Sequence, residues 1–219
     1  MIDVISVHVA KCAGTSFRHA LQRAYGADAV YLDYDDRIAD PASAMNVRPD
    51  EFFAAASSSG YPWMTGKRVV HGHFHIRKYD AYPAPCARIA FLRHPVDHTI
   101  SLYHFWRRLP RAGHSLQNYM LDNDLTLLEF ARLPYIQYFY ERVYFAGVDR
   151  SAFDFVGSVE QLERDSGRLS RLLGVPLEIP SMNLGPQPAA PEWSDPNLRR
   201  ELASIRKDDI RLYTAWCGA

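Results

Sequence analysis

Residues 2–17, IDVISVHVAKCAGTSF, pass from a β-branched run straight into a short loop with one glycine and then into helical spacing. Residues 2–9 are mostly apolar, as expected of a strand buried in a parallel sheet. From Thr15 onward, Phe17, Ala20, Leu21 and Ala24 recur at helical spacing, with Thr15 or Ser16 available as the N-cap. The order is strand, tight glycine loop, helix.

Such a loop turns backbone N–H groups toward one point, and the helix dipole adds positive potential there, so anions bind at these places. Thr15 and Ser16 can donate side-chain hydrogen bonds, and Lys11 brings a movable positive charge. The lysine stands in an unusual position. In a Walker A loop it follows the glycines, as G-x-x-x-x-G-K-[ST], whereas Lys11 precedes Gly14. Taken alone, the loop is equally compatible with Gly14 serving a tight turn and Lys11 lying on the surface.

Further along, residues 67–71 and 87–92 read as strands, the second stopped by Pro95, which suits the first turn of a helix through VDHTISLYHFWRRL. Residues 27–66 are less periodic and read as loops around a short helix at 49–56. Helices are expected at 125–133, 135–145 and 160–173, the last ending at Gly174, and a strand at 153–159. A proline-rich loop then precedes a final helix over 197–216. Alternating strands and helices predict an α/β fold with a central, mostly parallel sheet flanked by helices. At 219 residues, the expected organisation is a single domain over 1–219.

Two more segments carry chemistry. Arg93 stands at the end of a predicted strand, and Ser101 lies eight residues on, about two helical turns into the next element, so a guanidinium fork and a hydroxyl can hold a second phosphate. VVHGHFHI, residues 69–76, places His71, His73 and His75 at period two, on one face if the strand continues. Three imidazoles there can bind zinc or supply a general base.

The loop and the arginine segment together resemble the sulfotransferases that use 3'-phosphoadenosine-5'-phosphosulfate (PAPS). The first motif of that family, P-K-x-G-G-T-S-[LF] with an upstream histidine, is matched at His8, Lys11, Gly14, Thr15, Ser16 and Phe17. The second, R-[DH]-P with a serine eight residues after the arginine, is matched at Arg93, Pro95, Ser101 and Tyr103. Residues 153–174 and 205–216 look like the family's late strand and helix and its closing helix, and the pattern is nearer the carbohydrate-type enzymes. Ala10 stands where proline is usual, and Cys12 and Ala13 replace the commoner Thr-Gly.

The resemblance implies a P-loop-like sulfotransferase fold and a cofactor site made of Lys11, Ala13, Gly14, Thr15, Ser16, Phe17, Arg93 and Ser101. It also implies a histidine base, His73 with His71 as second choice, and Lys11 acting on the leaving oxygen of 3'-phosphoadenosine-5'-phosphate (PAP). No metal is implied. Adenine contacts are expected from Val159, Glu160 and the MNLGPQP loop at 182–188. The expected acceptor is a hydroxyl of a carbohydrate, a lipid-linked alcohol or a small molecule. Arg107, Arg108 and Arg111 can face it or form a solvated helix end, the latter being preferred.

Composition bounds the alternatives. Lys plus Arg and Asp plus Glu are 25 each, so no overall basic field points to nucleic acid. Three scattered cysteines make no disulfide framework or zinc motif, no run is long enough to span a bilayer, and no secretory signal opens the chain; a cytoplasmic, soluble protein is expected. Nothing sets the oligomeric state. The competing readings are a P-loop kinase or NTPase and a non-enzymatic zinc- or nucleotide-binding module built on the HGHFH run.

Overall fold

The computed structural model describes residues 1–111, 113–179 and 191–218. Five strands, β1 (Val4–Val7), β2 (Val30–Asp33), β3 (Val69–Gly72), β4 (Ala87–Leu92) and β5 (Phe155–Ser158), form one sheet in the order β2-β3-β1-β4-β5. All four pairings are parallel. Parallel strands need crossover connections, and the helices that supply them cover both faces of the sheet. This is the α/β fold with flanking helices expected above.

The period-two alternation of β1 divides the core. Val4 turns to a cluster with Phe17, Ala20 and Leu21 of helix α1 (Gly14–Tyr25), whereas Ile5 and Val7 join the larger cluster on the opposite face. The chain continues through α2 (Ala44–Val47) and α3 (Pro49–Ser58) to β3. After β4 come α4 (Pro95–Arg108), α5 (Ser115–Asp122), α6 (Leu127–Arg132) and α7 (Pro134–Gln137). Leu169 of α8 (Leu162–Leu173) packs with α1, and Leu202 of α9 (Pro196–Ile205) packs with α4 and α6 on the other face. α10 (Lys207–Cys217) ends the described chain.

Several elements differ from the sequence reading. β2 lies in a stretch read as loop; it is one of the sheet's two outer strands, with Leu32 exposed, so VYLD shows neither alternation nor a continuous apolar run. The single final helix is two helices, because Arg206 interrupts it and sits fully buried between them, its guanidinium 2.5 Å from Asp209. The helix expected over 135–145 is a short α-helix followed by a π-helical turn, Phe139–Tyr144. Asp209 fixes that turn by accepting from the backbone N–H groups of Tyr140 and Glu141 at 2.9 and 3.0 Å.

β1 has β3 on one side and β4 on the other, so the connections leaving its neighbourhood part at its carboxyl end. In parallel α/β sheets a crevice opens where connections part in this way. The loops after β1, β3 and β4 carry Lys11, His73 and Arg93 to that end. Among the described residues, no helix is long and apolar enough to cross a membrane.

Candidate active site

The loop after β1 is tightly wound, and both Lys11 and Ala13 adopt left-handed backbone conformations, with φ of 63° and 59°. A Cβ in that region costs about 1–2 kcal/mol. The alanine that replaces the usual glycine therefore holds a conformation glycine would hold without penalty. α1 starts one residue earlier than expected, at Gly14. Neither Thr15 nor Ser16 is the N-cap: Ala13 is, it offers no side-chain cap, and the first turn holds no acidic residue. The positive end of the helix is thus not neutralised by its own side chains, which suits an anion.

Gly14 is required for a separate reason. A Cβ at this position would lie 1.7 Å from the ring of His8, which stands at the end of β1 and closes over the loop. His8 stacks in turn on His73, with ring centroids 4.2 Å apart, and less closely on His71 at 5.1 Å. Its Nδ1 lies 3.0 Å from the Tyr34 hydroxyl. Burial, followed by the neighbouring His73 and His71, holds His8 well below the usual histidine pKa.

The three histidines after Val70 separate because β3 ends at Gly72. His71, fully buried within the sheet, has its Nδ1 2.9 Å from the Ser6 hydroxyl and does not line the cleft. His75 leaves the expected face: it packs against Phe53 and accepts the N–H of Arg77 at the start of the next turn. Only His73 opens into the cleft. Its Nδ1 sits 2.5 Å from the carbonyl oxygen of His8, which can only accept, so Nδ1 carries the hydrogen and Nε2 keeps its lone pair. Burial lowers the pKa of His73 to about 4, partly offset by the His8 carbonyl, and the ring is neutral near pH 7.

A cleft of about 510 Å³ gathers these pieces, lined by His8, Lys11, Ala13, Gly14, Thr15, Ser16, His73, Arg93 and Ser101 among others. Of the expected cofactor residues, only Phe17 is absent; it is 1 % exposed and packs against Phe91 in the core. Lys11 rests its ammonium over the Phe105 ring, 4.2 Å from the centroid. Burial, then the nearby Arg93 and Arg108, lowers its pKa from the usual lysine value. The Arg93 guanidinium lies 5.4 Å from the Trp193 ring centroid.

Val159 and Glu160 also line the cleft, but Glu160 is already engaged. One oxygen accepts from the backbone N–H of His94 and the other from the Tyr213 hydroxyl, at 2.8 and 2.9 Å, so its carboxylate secures the start of α4. The loop 182–188 lies outside the described residues. Arg107 and Arg111 pair with Asp124 and Asp122 at the exposed end of α4, as expected of a solvated helix end. Among the described residues, no group of three or more His, Cys, Asp or Glu side chains is arranged to hold a metal ion, and the three histidines of the HGHFH run point to different partners.

Comparison with solved structures finds sulfotransferases. A sulfotransferase from Alicyclobacillus acidocaldarius is 18% identical with a TM-score of 0.47, over 98% of this chain and 95% of that one. The mouse sulfotransferase SULT7A1, complexed with PAP, is 12% identical with a TM-score of 0.47, over 96% and 85%. Retinol dehydratase, in a complex with retinol and PAP, is 14% identical with a TM-score of 0.30, over 78% and 59%. No protein-family model and no curated protein matches the chain.

Sequence reasoning missed the two tyrosines that hold the site from behind. The Tyr140 hydroxyl donates to the Arg93 carbonyl at 2.8 Å and lies 3.5 Å from Cys12 Sγ. The Tyr144 hydroxyl accepts from the backbone N–H of Ala10 at 3.3 Å and lies 3.2 Å from His73 Nδ1. Their only sequence signal is a four-residue spacing in a stretch already read as helical, and their partners are 47 to 134 residues away.

Proposed function

We propose that the chain is a PAPS-dependent sulfotransferase that transfers a sulfuryl group to a hydroxyl of a small-molecule, lipid-linked or carbohydrate acceptor. The observation that carries this reading is the shared cleft. Lys11 and residues 13–16 from one segment, and Arg93 and Ser101 from another about 80 residues on, line it together with His73, whose Nδ1–H leaves Nε2 as an acceptor.

The residues fit the group. The backbone N–H groups at the uncapped start of α1, with Thr15 and Ser16, would hold the 5'-phosphosulfate, and Arg93 with Ser101 the 3'-phosphate. Bound there, PAPS supplies an activated sulfuryl group. His73 Nε2 accepts the proton of the acceptor hydroxyl as that oxygen becomes a nucleophile, and Nδ1–H stays on the His8 carbonyl so that the ring does not turn. Lys11, turned from Phe105, would set its ammonium against the negative charge that the leaving 5'-phosphate group gains.

This assigns a purpose to the lysine's place before the glycine. The left-handed turn at Lys11 carries its side chain into the cleft from the strand side, while the backbone of residues 13–16 approaches from the helix side. A kinase or NTPase reading would need a lysine after the glycines and an acidic residue placed for Mg²⁺. Of the two carboxylates that line the cleft, Glu160 and Glu163, the first is committed to His94 and Tyr213, and neither closes a strand.

Incubation with labelled PAPS and a panel of alcohols, phenols and sugars tests the proposal. Label in an acceptor and release of PAP are expected. Hydrolysis of ATP by the purified protein, with no transfer from PAPS to any member of the panel, would contradict it.

A further inference from the structure

We infer that Tyr144 is a positioning residue for the base, coupling the ring of His73 to the backbone of the lysine loop; this rests on the sulfotransferase reading only for its effect on turnover. One phenolic oxygen meets both partners. It lies 3.3 Å from the N–H of Ala10, the residue before Lys11, and 3.2 Å from Nδ1 of His73. The Ala10 N–H can only donate, so the oxygen accepts from it. The single hydrogen on Nδ1 points to the His8 carbonyl at 2.5 Å, with the Tyr144 oxygen as its second acceptor.

The tyrosine is held so that this arrangement is not easily lost. Tyr144 is 1 % exposed and packs against Phe139 and Phe145, in a π-helical turn whose start is tied to the buried Asp209. π-helical turns occur often at functional sites, where they re-aim side chains. Here the turn sends two hydroxyls to the cleft's supports. Tyr140 reaches Arg93 and Cys12, while Tyr144 reaches His73 and Ala10.

The chemical consequence lies in the protonated base. When Nε2 takes the acceptor's proton, the imidazolium strengthens its Nδ1–H bonds to the His8 carbonyl and the Tyr144 oxygen. The same oxygen fixes the Ala10 N–H, and the base and the lysine loop keep one relative position through the reaction. The other groups facing His73 are His8 stacked on one side, Tyr34 edge-on at 4.8 Å, and the buried His71. None of these bonds to Nδ1 through a side chain.

Tyr144→Phe keeps the ring and removes the oxygen. In ¹⁵N spectra at pH 7, His73 is expected as the Nδ1–H tautomer in both proteins, held by the His8 carbonyl, and the variant should show a measurable shift of the His73 Nδ1 resonance as its second acceptor is lost. In steady-state transfer, kcat should fall about ten-fold while the dissociation constant for PAP stays within about two-fold. An unchanged His73 Nδ1 resonance in a folded variant, or kcat and PAP affinity falling together, would overturn the inference. If the unaltered protein transfers nothing from PAPS, the sulfotransferase reading fails and the His73 Nδ1 resonance alone decides the role of Tyr144. If the variant does not fold, finding His73 protonated on Nε2 in the unaltered protein overturns the inference.

Discussion

Ala13 concentrates the tension between folding and function at this site. Its φ of 59° is one glycine adopts without steric cost, and the residue lies in the loop that lines the cleft. Ala13→Gly should stabilise the protein by about 1 kcal/mol, the relief of the left-handed penalty less the entropy an added glycine gives the unfolded chain. Urea unfolding measures it, and a loss of stability would mean the conformation carries no strain. Lys11 and His73 are separable by what they leave intact. Lys11→Ala should lower turnover by about 10²-fold or more, as the loss of a group acting on developing charge does. His73→Ala should lower it by about 10²-fold to 10⁴-fold while PAP still binds, which calorimetry beside the assay checks.

Among the elements, the strand-to-helix junctions after β1 and β4 bear the groups proposed to hold PAPS, and both junctions were legible in the sequence. Residues 87–92 announce β4 because an apolar run stops at a proline suited to the first turn of α4. Arg93 follows directly, and Arg93→Ala should weaken PAP binding about 10-fold to 100-fold, the worth of a charge-assisted hydrogen bond or two, with a smaller change in kcat. What stayed hidden depends on partners far along the chain. The period-two spacing of His71, His73 and His75 predicts one face, but β3 stops at Gly72, so only His73 reaches the cleft. The break at Arg206 is equally silent locally, since the pairing with Asp209 and the contact with Thr99 of α4 exist only once the helices pack. Tyr140 and Tyr144 read as ordinary helix aromatics until the chain folds.

The whole molecule buries a large share of its histidines as neutral groups, and its stability must follow. His71 is lowered to about 3, and His73 and His75 to about 4, in each case chiefly by burial. Unfolded, each takes up a proton near pH 6.5, so between about 6.5 and 4 the unfolded chain binds more protons and stability falls as pH falls. Each such histidine contributes a slope of up to about 1.4 kcal/mol per pH unit. Asp36 acts in the opposite sense, since burial and the adjacent Asp33 raise it to about 6, but it is one group against these three and His8. Denaturant unfolding at pH 7, 6 and 5 should show a steep acid loss; a flat profile would mean these rings are not buried neutral.

On the proposed function, the cleft between the lysine loop and Arg93 is built for a 3'-phosphorylated adenine nucleotide. Calorimetric titration with PAP beside ATP, the latter with and without Mg²⁺, tests it most directly. PAP should bind at least about ten-fold more tightly than ATP, a difference of about 1.4 kcal/mol, and Mg²⁺ should add nothing. ATP with Mg²⁺ binding as tightly as PAP, or more tightly, would mean that the cleft is not built for a 3'-phosphate.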